Sequence, residues 1–137
     1  MTDVETLQLT GASTAVLGPF AGAAGLNRVV TGNGNTNITL NNATPTTIDA
    51  SAMPDTAVLT LGGSGAFTVT GLVAELNALG ASGTLVVETA ANTSSEPFVA
   101  QTIVVTTGSG ATTVTATTAG DTVTVDAAAL AGAETLT

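Results

Sequence analysis

The residues able to do chemistry are few and one-sided. Ten carboxylates stand against a single cation, Arg28, and the chain has no His and no Cys. Without imidazole or thiol, the usual general base, ring-nitrogen metal ligand and sulfur nucleophile are missing. Carboxylates alone can hold a hard cation through oxygen, or act as a pair across a glycosidic bond. Asp49 and Asp126 form the obvious pair, because they occupy equivalent positions of an internal repeat. Asp121, in Gly120-Asp121-Thr122-Val123, is the third candidate. The formal net charge of −9 makes cations the natural small partners, and calcium is the ion expected at Asp49, Asp121 or Asp126. The competing expectation for Asp49 and Asp126 is a side chain at a strand end that accepts from a turn amide. A saccharide-cleaving pair would want aromatic platforms; aromatics are 2% of the chain, with no Trp or Tyr, so no enzyme is expected. Gly32-Asn33-Gly34 and Gly108-Ser109-Gly110 are glycine-rich, but no helix with Lys follows, so they read as turns and not as phosphate cradles. Glu5, Glu75, Glu88, Glu96 and Glu134 read as solvated charges.

The elements that must position these carboxylates come in a repeat. Residues 29–60 align with residues 105–137. At an offset of 76, Val29, Thr31, Gly32, Gly34, Thr36 and Ile38 fall on Val105, Thr107, Gly108, Gly110, Thr112 and Val114. After one inserted residue, Thr47, Ile48, Asp49 and Ala50 fall on Thr124, Val125, Asp126 and Ala127. Glycines in phase over this length mark an internal repeat. Apolar strand centres near Leu7, Val29, Leu59, Leu85, Val105 and Leu136 add a coarser beat of about 26 residues.

Alternation predicts strands at Val4–Gly11, Arg28–Gly32, Asn37–Leu40, Thr46–Ala50, Ala57–Leu61, Ala66–Thr70, Leu85–Thr89 and Thr102–Thr106. Phe20–Gly25 suits a single helical turn, and Asn92–Pro97 reads as a loop. Leu72, Val73, Leu76 and Leu79 share a face at helical spacing with Gly80 as a stop, which predicts one short helix over 72–79. The fold expected is all-β: a parallel β-solenoid with that short helix, each coil adding a strand to growing sheets and equivalent repeat residues falling on one face. Ile38, Ile48, Val114 and Val125 should point inward. The alternative is an antiparallel immunoglobulin-like sandwich, against which stand the repeat and the lack of a core Trp. At 137 residues this is a single repeat-built domain, and both ends read as cut from a longer array.

Charge excludes a nucleic-acid interface, which needs Lys and Arg against phosphate. It argues equally against anionic membrane surfaces. No apolar run is long enough to span a bilayer, and no basic segment precedes an apolar one as in a signal peptide.

The stretches ETLQLTG, AETLT, GSGAFTVTGL and AGDTVTVDAAAL resemble repeats of bacterial surface-layer proteins and RTX-type secreted adhesins. Gly62-Gly63-Ser64-Gly65 carries the glycines of the RTX nonapeptide, but its Asp is missing from Ala66-Phe67. The resemblance implies a structural segment of an extracellular surface layer, fibre or adhesin, ordered in some members by calcium. Its partners would be further copies or neighbouring repeats, with cell-surface or polysaccharide contact. The alternative is a binding module, calcium-dependent or recognising ice or carbohydrate through Thr-x-Thr rows such as Thr113-Val114-Thr115 and Thr122-Val123-Thr124. Glu5-Thr6-Leu7 and Glu134-Thr135-Leu136 give the two ends the same pattern, which predicts head-to-tail association.

Overall fold

Strict alternation of small and branched apolar residues with Thr and Asn suits strands buried on one face only. The computed structural model describes residues 5–90, 102–116 and 122–137, and in it the chain is a parallel β-solenoid. Its strands are β1 (Thr6–Gln8), β2 (Ser13–Leu17), β3 (Arg28–Val30), β4 (Thr36–Leu40), β5 (Thr46–Asp49) and β6 (Val58–Gly63), then β7 (Phe67–Leu72), β8 (Glu75–Ala81), β9 (Leu85–Thr89), β10 (Thr102–Thr106), β11 (Thr112–Thr115) and β12 (Thr122–Asp126). Odd-numbered strands form one six-stranded sheet and even-numbered strands the other. Every neighbouring pair is parallel, which removes the sandwich alternative. The chain changes sheet at each corner, so two strands and two corners make one coil.

Inward side chains stack in columns along the axis. In the first sheet Val29, Ile48, Val69 and Val87 are successive partners, all at 0% exposure. In the second, Leu59, Leu76 and Val105 follow one another, also at 0%. Burying each such side chain is worth about 1.5–3 kcal/mol. Ile38 and Ile48 are fully buried, while Val114 and Val125 are partly buried against the core, so all four point inward as expected. Three inward threonines satisfy their hydroxyls locally: Thr36 donates to the Gly34 carbonyl, Thr46 to Thr44 and Thr112 to Gly110. Each opens a strand and bonds two residues back, which lets a hydroxyl sit inside without an orphaned donor.

Three expectations are corrected. Residues 72–79 are not helical: β7 ends at Leu72 and β8 begins at Glu75. Leu72, Ala74, Leu76 and Ala78 are all at 0% exposure, so the period is two and continues through the corner, while Leu79 is 61% exposed. The helical face came from counting the leucines and passing over the two alanines. Gly80 lies within β8 opposite Gly62, not at a helix end. The beat of about 26 residues also fails, because it mixed strands of the two sheets. Along one sheet Thr36 pairs with Leu59, Val58 with Glu75 and Leu76 with Val105, steps of 23, 17 and 29 residues.

The third correction concerns the repeat. Val29 lies in β3 of the first sheet and Val105 in β10 of the second; Ile38 lies in β4 of the second and Val114 in β11 of the first. Equivalent residues therefore occupy opposite sheets. The repeating unit is a half coil, one strand plus one corner, and an offset of 76 residues spans seven of them, from β3 to β10. Both sheets demand the same inward alternation, so a half-coil pattern serves either.

In a stack where each rung touches only its neighbours, inner rungs are held from both sides and outer rungs from one. Amide hydrogen exchange should therefore be slowest in β5, β6, β7 and β8 and fastest in β1 and β12. Uniform protection along the stack would contradict this.

Candidate functional site

Asp49 closes β5 where the chain turns toward the other sheet. Its Oδ1 accepts from the Ser51 hydroxyl at 2.6 Å and the Ser51 backbone N–H at 3.1 Å, and Arg28 Nη2 donates to Oδ2 at 2.7 Å. Arg28 comes from β3, the adjacent rung, where it pairs with Thr47 while Val30 pairs with Asp49. The ion pair is thus a diagonal contact across two parallel strands on the outer face. The Ser51 hydroxyl, then the Ser51 amide and Arg28, hold the Asp49 carboxyl below its ordinary value of 3.8, against partial burial that raises it.

A depressed folded-state value means that Asp49 stabilises the fold fully above 3.8 and loses that contribution as pH falls through the lower value. Asp49→Asn keeps an oxygen for Ser51 but removes the charge facing Arg28. It should cost about 1 kcal/mol at neutral pH. The deficit relative to the unmodified chain should shrink in acid, as read from urea midpoints at pH 7 and well below 3.8. A deficit that stays constant with pH would mean that the charge contributes nothing.

Asp126 does the same work at the other repeat position. It closes β12, and its Oδ1 accepts from the Ala128 N–H at 3.0 Å. Both aspartates are strand-end residues bonded to the amide two positions on, as their place in the repeat suggested. They are not brought together: Asp49 lies in the first sheet and Asp126 in the second. They do not form a carboxylate pair, and among the described residues no three acidic groups cluster. Asp121 lies outside the described residues, as does the Asn92–Pro97 loop. The two Thr-x-Thr rows are likewise separated, on β11 of the first sheet and β12 of the second.

The structure assembles a different site. A depression of about 330 Å³ crosses β2, β4 and β6 on the outer face of the second sheet. Thr14, Asn37 and Thr60 are successive partners along its middle, one per rung. Asn35 and Val58 border it toward the corner, where the Val58 N–H donates to Asn35 Oδ1 at 3.0 Å. That bond ties two rungs together and orients the Asn35 amide. Ala12 and Val58 contribute apolar surface. Sequence reasoning missed this group, although Thr14, Asn37 and Thr60 recur at a spacing of 23 residues. No family model, no curated protein and no solved structure matches the chain.

Proposed function

We propose that the chain is a structural repeat segment of an extracellular surface-layer, fibre or adhesin protein, and that its coils extend by stacking on further coils, including those of a second copy. The observation that carries this reading is the open parallel ladder. Among the described residues, β2 bonds only β4 and β12 bonds only β10, which leaves one free edge at each end of the second sheet. In the first sheet, Thr135–Thr137 adds to the far side of β11, with Thr112 N–H to the Thr135 carbonyl and Val114 N–H to the Thr137 carbonyl, both at 3.0 Å. The two Glu-Thr-Leu stretches thus flank the same sheet, one in or beside β1 and the other beyond β11. Free edges of this kind are templates for another strand, and a contact between unlike ends propagates instead of closing.

Light scattering over a range of concentrations and salt tests the association. Ten carboxylates against one Arg repel between copies, so salt should promote assembly by screening them. Mass should rise with concentration, and more steeply in high salt. A strictly monomeric mass under both conditions would remove self-stacking from the reading.

A further inference from the structure

The geometry points to the depression on the second sheet as a binding site for an extended, neutral, β-1,4-linked polysaccharide, lying along the solenoid axis with about one sugar per rung. The proposal does not depend on self-stacking. Thr14, Asn37 and Thr60 stand in one outward column across three parallel strands. Adjacent strands lie about 4.8 Å apart, close to the advance of one sugar in an extended 1,4-linked chain. The repeat of the protein and the repeat of such a ligand are therefore commensurate without any bend in either.

The chemistry of the column suits a polyol. Among the described residues, the side chains of Thr14, Asn37 and Thr60 make no hydrogen bond, so their hydroxyl and amide groups face outward unused, and Asn35 uses only its Oδ1. Each hydroxyl or amide can both donate and accept, as sugar hydroxyls do. Ala12 and Val58 provide the small apolar surface against which the C–H face of a sugar ring rests. A volume of about 330 Å³ lies at the lower end of the range typical of small-ligand clefts. It is large enough for part of a chain and open to solvent.

Charge selects among polymers. The depression contains no cationic side chain, and the sole Arg pairs with Asp49 on the other sheet. Glu75 is the next residue after Val58 along the bordering column. A polyanion such as a polyuronate or nucleic acid would meet a chain of net charge −9 with nothing to offset it. Glu75 accepts hydrogen bonds from neutral hydroxyls without that penalty.

Titration with β-1,4-linked mannohexaose, followed by amide chemical shifts, tests the site. Shifts should move at Thr14, Asn35, Asn37 and Thr60, and the hexasaccharide should bind at least tenfold more tightly than mannose. A hexagalacturonate should leave the spectrum unchanged. Asn37→Ala, at an exposed position, should weaken hexasaccharide binding at least tenfold with the spectrum of the fold retained. Thr68→Val, on the outer face of the first sheet, should leave binding unchanged. No shift changes at saturating hexasaccharide, changes confined to the first sheet, equal affinity for mannose, or equal response to the uronate would each overturn the proposal.

Discussion

Replacing Gly83 by alanine is expected to destabilise the protein by about 3 kcal/mol, which lowers the melting temperature by roughly 10 °C. Gly65, Gly83 and Gly110 follow the second sheet at the same corner on successive rungs. A Cβ on Gly83 would land on the Gly65 carbonyl, and a Cβ on Gly110 would land on the Gly83 carbonyl. The obstacles are backbone atoms, not flexible side-chain ends. Backbone here is fixed from both sides, since Ser82 N–H bonds the Gly63 carbonyl at 2.9 Å and Ser109 N–H bonds the Ala81 carbonyl at 3.0 Å. Relief requires rungs to separate, which stretches the ladder on which the whole stack depends. Gly18→Ala is the control: nothing lies within 4 Å of its Cβ position, and it should change stability by less than about 0.5 kcal/mol. Equal melting temperatures for the two variants would show that the corner tolerates a side chain and that close approach is not what holds glycine there.

Phe67→Ala should cost about 4 kcal/mol. Phe67 opens β7 at 1% exposure, between Thr46 on one rung and Leu85 on the next. With aromatics only 2% of the chain, the rest of the described interior is filled by aliphatic residues, Met53, Asn42 and Thr. Columns of small side chains on stiff parallel strands cannot collapse into the vacated volume, so the cavity persists and the loss falls at the high end for this change. Phe20→Ala gives the contrast: Phe20 is 81% exposed in the β2–β3 corner, and its removal should stay within about 0.5 kcal/mol. Denaturant midpoints for the two variants decide this. A small loss at Phe67 would mean that the coils close around the gap and that the interior is less rigid than its ladders imply.

The Asp49 and Asp126 pair shows how far local reading reaches. An aspartate at the end of an alternating run, followed by small residues at a corner, accepts from the amide two positions on in both halves of the repeat. That bond involves only neighbours in sequence, so the sequence carries it. The Arg28 contact to Asp49 joins residues on different rungs, and nothing in either local stretch announces it.

Inward and outward placement was legible because alternation has a period of two wherever the chain runs extended. Ile38, Ile48, Val114 and Val125 took their orientation from that parity alone, and parallel stacking followed from the repeat together with the lack of large core residues. Which sheet a strand joins was not legible. It depends on how many corners separate two strands, and among the fully described corners the length varies from the two residues Val73 and Ala74 to the ten between Leu17 and Arg28. A repeat of seven half coils and one of eight look alike in one dimension, yet the first exchanges the sheets and the second does not. That choice separated Asp49 from Asp126, and the single corner between β11 and β12 parted the two Thr-x-Thr rows. Register between coils placed Thr14, Asn37 and Thr60 on adjoining rungs. Parity is a property of the strand and is written in its residues; adjacency between rungs is set by the path of the corners, and only the tertiary structure decides it.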